Sequence, residues 1–384
     1  KVCKESVQEK RYMSEFMGKN GFQWFVGVVE DRKDPQTLGR LRVRCLGYHT
    51  EVLDKLKTED LPWAHVMNPI TSATVSGIGQ SPLGAVEGTW VVGFFQDGAD
   101  AQQPIIIGTL PGVPSELPDT SSKKGFQDAV NGAYPKYKGE TDVNRLSVND
   151  KDLPHSSLTI RKADRDLSVG TAQIDGIFSG VAQITSDLDT NNGGKWDEPT
   201  APYASKYPHN HVYESEAGHI REIDDTPNAE RIHERHNSGT GYEIHPEGDK
   251  VTRVKKHNYT IVSGDDYTHI KGTSRHTTDG GVRIRVNSSG AEGNNYNIEV
   301  GNNANVNVEV NKGNINLTTL SPDVGDININ ASRDLNMQVN RNFNIEVLGE
   351  YTENVTGNKT ENVGKVSIKT GSAINMFGDP INLN

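Results

Sequence analysis

The chain has 384 residues, of which 33% are hydrophobic, and it carries a net charge of −11 at neutral pH. This length suffices for two or three domains, but the low hydrophobic content and a mean hydropathy of −0.64 argue against one large core and favour an elongated molecule. The acidic balance argues against nucleic-acid binding, and two cysteines, Cys3 and Cys45, cannot form a disulfide framework. No apolar run approaches the roughly 18 residues of a membrane span.

An N-terminal arm and a small barrel are predicted for the first 112 residues. Residues 1–20 are polar with a few apolar residues at helix-like spacing, so we expect an arm or a short helix. Residues 21–112 contain alternating stretches typical of strands. The five predicted strands are 22–28, 40–45, 63–67, 89–95 and 104–108. Five short strands in about 90 residues are typical of an OB-fold barrel.

A basic stripe lies on one face of the second predicted strand, formed by Arg40, Arg42 and Arg44. OB-folds often bind oligonucleotides or sugars, and basic residues beside aromatic ones suit such ligands. Because the chain is acidic overall, we favour the alternative that the stripe packs against an acidic neighbouring protein.

Residues 113–205 are predicted to form an extended connector rather than a glycosidase domain. A glycosidase needs a folded lobe that holds one carboxylic acid at a raised pKa opposite a second carboxylate. Acidic pairs are present, for example Glu140 with Asp142, but the surrounding sequence is rich in Pro, Gly, Ser and Asp and predicts no helices to bury them. We interpret them as solvated groups and expect no catalytic residue and no cofactor.

Residues 206–248 are charged and rich in histidine, and two interpretations are open. The first is a metal site, because imidazoles on neighbouring strands can share a metal ion. Its candidate ligands are His209, His211, His233 and His236. The second is a set of charge pairs where three chains first converge. These pairs would join the histidines to Glu222, Asp224, Glu230 and Arg231. Because the carboxylates and imidazoles alternate with Arg and Ile, we favour charge pairs and expect no metal.

Residues 249–384 carry a repeat of eight residues. Apolar residues stand at alternate positions, which is the signal of a strand, and one column of valines returns every eighth residue. Glycines such as Gly349 and Gly357 follow these valines and are expected to mark the bends between short strands. One strand of this length cannot cover its own apolar face, so the octads need neighbours.

Three identical chains can provide those neighbours as an intertwined triple-stranded β-helix, which leaves no lateral edge open. The predicted fold class is therefore all-β: an OB-fold barrel, a connector and a homotrimeric needle. The expected residues of the trimer core are Leu335, Val339, Phe343, Val347, Val355 and Val363. A denser apolar run at the C-terminal end predicts a docking surface. Its expected members are Ile374, Met376, Phe377, Ile381 and Leu383.

Several stretches of the sequence resemble one family. They are residues 34–43 (DPQTLGRLRV), 88–95 (GTWVVGFF), 104–108 (PIIIG), 219–227 (HIREIDDTP) and 230–240 (ERIHERHNSGT). They resemble the central spike or hub proteins of T-even-type contractile-tailed phages and the related VgrG spikes of type VI secretion. Phage spikes of this kind often carry a lysozyme domain, and the short connector predicts a form without one.

The resemblance implies a mechanical function and several partners. A homotrimeric spike would transmit the force of sheath contraction and puncture the outer membrane of the target cell. Its barrel would pack against hub ring and tail tube proteins, and a small PAAR-type tip protein would sit at the C-terminal end. The protein would be made in the host cytoplasm and would reside in the tail baseplate of the virion.

Two alternatives to a phage spike are compatible with the sequence. One is a secretion-system VgrG spike, which shares the same motifs. The other is a trimeric tailspike that binds or cleaves surface glycans. Residues 294–384 contain four aromatic residues and no Trp, which is sparse for sugar stacking. The sequence therefore favours a structural spike over a glycan-processing enzyme.

Overall fold

The computed structural model describes residues 23–128, 132, 134–135, 138–139, 141–148, 203–276, 278, 280–286, 295–301, 303–321 and 325–371. The chain divides into two units, Lys1–Val282 and Arg283–Asn384, and each is described by itself. No helix among the described residues is long and apolar enough to cross a membrane.

The first unit begins with a closed five-stranded barrel, as predicted. Its strands are β1 (Gln23–Asp31), β2 (Leu41–Cys45), β3 (Trp63–Val66), β4 (Trp90–Phe95) and β5 (Pro104–Thr109). The strand order is β1-β2-β3-β5-β4, and β4 closes the barrel by pairing with β1. All neighbours are antiparallel except β3 and β5, which are parallel. Single 3-10 turns occupy Thr58–Asp60 and Gly98–Asp100.

The barrel core is formed by alternate residues of each strand. Its buried members are Phe25, Val29, Leu41, Val43, Cys45, Ala64, Val91, Phe95 and Ile106. Gly93 faces the same interior, and a Cβ atom there would stand 2.6 Å from Cζ of Phe25 and would also meet the carbonyl oxygen of Ile105. Because Gly93 has no side chain, β4 can pair with β5 while Phe25 fills the core beside it.

The expected partner of the basic stripe proves wrong, because Arg40 and Arg44 are paired within the domain itself. Arg44 is fully buried, and its Nε and Nη2 donate to the two carboxylate oxygens of Glu30 at 2.6 and 3.0 Å. Arg40 forms a salt bridge with Asp34 at 2.7 Å. Arg42 places its guanidinium 4.5 Å from the centre of the Trp63 ring. The stripe therefore meets carboxylates and an aromatic ring of its own chain.

Loops cover the outer face of the barrel where Arg44 lies. Arg44 also donates to the carbonyl oxygens of Thr50 at 2.6 Å and Leu56 at 2.8 Å. The backbone N–H of Phe126 donates to Glu30 at 2.9 Å, although Phe126 is far along the chain. The ion pair is thus closed off by two loops, which explains why a strand that alternates in sequence is buried on both faces.

The described part of the predicted connector lies against folded structure. Lys124 forms an isolated bridge with Val52, next to the barrel. A four-residue helix, α1 (Arg145–Val148), buries Leu146 against Ile220 of the following sheet. Residues 149–202 lie outside the described residues, and for them the extended connector stays a prediction.

A five-stranded antiparallel meander follows. Its strands are β6 (Asn210–Glu214), β7 (Ile220–Asp224), β8 (Arg231–Arg235), β9 (Gly241–Ile244) and β10 (Lys250–Arg253). Residues of β7 and β8 alternate strictly between buried and exposed, but the usual polarity of a sheet is reversed. The buried face of β8 carries Arg231, His233 and Arg235, whereas Ile232 is exposed.

After β10 the chain runs as extended backbone with regular bends. Bends recur every eight residues at 255–256, 263–264 and 271–272, and again at 332–333, 340–341, 348–349 and 356–357. Gly349, Gly357 and Gly364 all lie at bends, which confirms the assignment of the octad glycines. Within the described residues of Arg283–Asn384, no strand pairs with another strand of the same chain.

Two glycine substitutions test the packing of the barrel. Gly93→Ala should lower the free energy of unfolding by about 1–3 kcal/mol, because the new methyl group would force Phe25 and the β5 backbone apart. Gly108→Ala is the matched control on the neighbouring strand, since a Cβ atom there would meet nothing within 4 Å. Thermal unfolding followed by circular dichroism measures both. Equal midpoints for the two variants would contradict this packing.

Candidate functional site

A buried network of charged side chains lies under the β6–β9 sheet, with Glu222 at its centre. Arg231 Nη2 donates to Glu222 Oε1 at 2.8 Å, and Asn210 Nδ2 donates to the same oxygen at 2.9 Å. His233 Nδ1 lies 2.6 Å from Glu222 Oε2. Arg231 Nη1 extends the network to Glu243 Oε1 at 2.7 Å. All five side chains belong to buried residues, so the network is sealed from water.

The strand register brings these groups together. Glu222 on β7 stands directly opposite His233 on β8, which in turn stands opposite Glu243 on β9. Cross-strand neighbours on one face lie close enough for their side chains to meet. The result is a row of carboxylate, imidazole and carboxylate, with the Arg231 guanidinium beside it joining the two acids.

The segment around α1 closes the network from the other side. The ring of Tyr203 lies 4.9 Å from the Arg231 guanidinium, and the Tyr203 hydroxyl donates to the carbonyl of Leu146 at 2.8 Å. Ser147 Oγ donates to the carbonyl of Asn210 at 2.6 Å. Burial raises the pKa of the Tyr203 hydroxyl, so it remains a neutral hydrogen-bond donor. These contacts fix α1 to the sheet.

Glu222 is held as a carboxylate. Burial alone raises its pKa, but the hydrogen bond with His233 and the charge of Arg231 outweigh burial and lower the pKa to about 2. A general acid needs the opposite shift, because it must hold its proton near neutral pH. The network is therefore suited to binding strands together rather than to proton transfer.

The charge pairs predicted from sequence form in part, but inside one chain. Glu222, Arg231 and His233 come together as described, and Asp224 lies on the same buried face, where it accepts a hydrogen bond from Thr226 Oγ1 at 2.6 Å. Glu230 is exposed. These pairs form between strands of a single chain, and the convergence of three chains at this region stays a prediction. Sequence reasoning missed Asn210 and Glu243, whose roles depend on register.

The four candidate metal ligands are separated by the fold. His209 and His211 are exposed, and His211 Nε2 lies 3.6 Å from Asp225 Oδ2. His236 contacts His219, with the two rings tilted and their centres 4.5 Å apart, while His233 faces Glu222. Across the part of the chain that the structure describes, no group of three or more His, Cys, Asp or Glu residues is arranged to hold a metal ion.

The predicted needle residues lie at alternate positions within the stretches between bends. All six are about half exposed in one chain, from 45% for Val347 to 60% for Leu335. The predicted tip residues lie outside the described residues, and their docking role stays a prediction. These tip residues are Ile374, Met376, Phe377, Ile381 and Leu383.

Removal of the buried guanidinium tests the network. Arg231→Met should cost about 3–5 kcal/mol of unfolding free energy, because Glu222 and Glu243 would stay buried without their shared cation. Arg221→Met on the adjacent strand is the control, since Arg221 is exposed and should change stability by less than about 0.5 kcal/mol. Denaturant unfolding of both variants gives the comparison. A similar loss for both would show that the network contributes little.

Comparisons with known proteins agree with this architecture. The family described as the Gp5 N-terminal OB domain matches residues 49–179. Protein Gp5 of Vibrio phage KVP40 is 39% identical over 293 residues, which cover 69% of this chain and 65% of that protein. The pre-baseplate central spike protein Gp5 of Enterobacteria phage T4 is 46% identical over 137 residues, which cover 34% of this chain and 23% of that protein.

The chain thus spans less than two thirds of the length of either curated relative. The family match includes β3, β4, β5 and α1, and the T4 relative carries the spike in its name. The chain is thus similar to Protein Gp5 of Vibrio phage KVP40 and, over a shorter stretch, to the pre-baseplate central spike protein Gp5 of phage T4.

Proposed function

We propose that three copies of this chain form the central spike of a contractile phage baseplate and puncture the target cell envelope when the sheath contracts. The named relative from phage T4 is a pre-baseplate central spike protein, which supports a location in the virion baseplate. The observation that carries the proposal is the octad segment. Its bends recur every eight residues, and its apolar columns are uncovered in a single chain.

Exposure of the octad valines is the reason to propose a trimer. Val339, Val347, Val355 and Val363 are each about half exposed, and burial of a Val side chain is worth about 1.5–3 kcal/mol. Extended segments also leave backbone N–H and C=O groups without partners, which favours pairing with other chains. Three identical chains would satisfy both needs at every level of a triple-stranded β-helix.

The β6–β10 sheet supports a meeting of copies at the base of the needle. Ile223, Ile232 and Ile244 stand opposite one another on three neighbouring strands, on the face away from the charged network. Ile223 and Ile232 are each 44% exposed. A row of isoleucines on the outer face of a sheet is a surface that a second copy would cover.

The proposed mechanism is mechanical. In an intertwined helix, each chain is hydrogen-bonded to the other two at every level, so no segment opens alone under axial load. The spike would therefore transmit force along its axis without bending. The barrel would mount it on hub ring and tail tube proteins, and the C-terminal end, with Met376 and Phe377, would dock a PAAR-type tip protein.

We also propose that the chain acts without lysozyme activity. The 93 residues from 113 to 205 are few for a glycosidase lobe, and their composition is that of a linker. Glu222, the buried carboxylate of the neighbouring sheet, has a lowered pKa and cannot supply the general acid. Puncture by force needs no catalytic residue.

The first test concerns the trimer. Wild-type protein should have the mass of three chains by light scattering and should resist SDS on an unheated gel, since three threaded chains must unfold together. Val347→Asp should abolish the SDS-resistant band, because three carboxylates would meet on the axis without partners. Leu348→Asp is the control, since Leu348 lies at a bend and is 98% exposed. A stable wild-type monomer would overturn the proposed trimer.

The second test concerns activity. Purified protein should leave a peptidoglycan suspension turbid at every pH from about 4 to about 8, the range in which tuned carboxylates act as acid and base. Hen-type lysozyme in the same buffers serves as the positive control. Clearing that disappears when Glu140 or Asp142 is changed to the amide would reveal a glycosidase and contradict the proposal.

A further inference from the structure

On the side of the octads that carries the valines, side chains eight residues apart form three columns. Two of these columns change from apolar to charged residues along the chain. The first column is Leu335, Phe343, Tyr351 and Lys359. The second is Met337, Ile345, Glu353 and Glu361. The third is Val339, Val347, Val355 and Val363. Because side chains two residues apart share a face of an extended strand, the charged residues occupy the same side as the apolar ones.

The three charged side chains are already paired within one chain. Lys359 Nζ lies 2.7 Å from Glu353 Oε2 and 2.7 Å from Glu361 Oε1. The two carboxylates raise the pKa of Lys359 through these hydrogen bonds, so the ammonium stays charged. Glu353 and Glu361 lie on opposite sides of the bend at 356–357, and Lys359 therefore joins two consecutive levels.

The charged side chains are as exposed as the valines beside them. Side-chain exposure is 49% for Lys359 and 39% for Glu353, close to the 45% of residue Val347. The same face is apolar in the preceding octads, where it carries Phe343 and Ile345. Whatever covers the apolar columns will cover these charges as well.

Repetition creates an ambiguity that an apolar core cannot resolve. Every octad from 332 to 363 presents the same valine, so a chain displaced by one octad would still place valine against valine. Hydrophobic burial is non-directional and scarcely distinguishes the two alignments. A repeat in which each level resembles the next therefore needs some feature that occurs at one level.

We infer that Glu353, Lys359 and Glu361 form a charged layer inside the needle that fixes the alignment of its three chains. This inference rests on the proposed trimer. In the aligned needle, three copies of each residue meet at two adjacent levels and can share their hydrogen bonds. Displacement of one chain by an octad would put its Glu353 against Ile345 and its Lys359 against Tyr351 of its neighbours. Ion pairs buried against apolar side chains pay a desolvation cost that the shared hydrogen bonds of the aligned layer would offset, so displacement is penalised.

Isolated buried polar residues are known to work in this way in other repeats. A single polar residue in the core of a coiled coil specifies register and oligomeric state at a cost in stability. The charged layer would act likewise in the needle. Replacement by apolar residues should therefore leave the chains able to associate while removing the preference for one alignment.

The test uses the full chain with a nitroxide spin label at Thr356→Cys, in a Cys3→Ser background where Cys45 is buried. Double electron–electron resonance spectroscopy should give one narrow distribution of distances between the labels in the otherwise unchanged trimer. The variant Glu353→Ile, Lys359→Phe, Glu361→Ile continues the apolar columns. It should remain an SDS-resistant trimer but give a broadened distribution with additional distances. Glu346→Gln, which changes a charge on the opposite side of the strand, is the control.

A second variant separates pairing from alignment. Lys359→Met alone leaves two carboxylates per chain without their cation, and it should weaken SDS resistance. Adding Glu353→Gln and Glu361→Gln should restore it, because amides carry no charge. A single narrow distance in the apolar variant would overturn the inference, as would failure of that variant to form a trimer. A monomeric wild-type chain in light scattering would instead overturn the proposed spike trimer itself.

Discussion

An extended chain cannot pair its own backbone hydrogen-bonding groups or cover its own apolar side chains, and the rest of this architecture depends on that constraint. Between the bends of the octad segment, the backbone presents hydrogen-bonding groups on both edges, and one side carries uncovered apolar columns. The barrel solves the same problem by closing on itself, since β4 pairs with β1. The octads have no such closure within their described residues, and in the spike that we propose their stability would come from other copies.

Charge burial follows one rule in the barrel and in the β6–β10 sheet. Arg44 is buried beneath the loops of the barrel, where Glu30 is its bidentate partner. Under the β6–β9 sheet, Arg231 joins Glu222 and Glu243. A buried ion pair adds little net stability over a well-packed apolar pair, but loss of one partner is costly. Such pairs therefore select one arrangement of strands and loops more than they strengthen it.

The reversed polarity of the β6–β10 sheet connects these observations with the proposed spike. Its charged face is buried under α1 and Tyr203, while Ile223 and Ile232 point outwards. In a monomer this arrangement would leave apolar side chains exposed to water and charged side chains buried. In the spike that we propose, the sheet is the transition from separate barrels to a shared needle, and its outer isoleucines would lie where the copies meet.

The sequence by itself determined the features that depend on neighbours along the chain. Alternation predicted the five barrel strands to within a few residues, and the octad glycines predicted the bends, because both signals reside in residues close in sequence. Tertiary structure decided which partner each charge has. The alternating sequence places Arg44 on the outer face of its strand, but in the structure the loops near Thr50 and Phe126 cover it. Glu222 became the centre of a network only through the register that sets it opposite His233, and register is fixed by pairing between strands that no local pattern specifies.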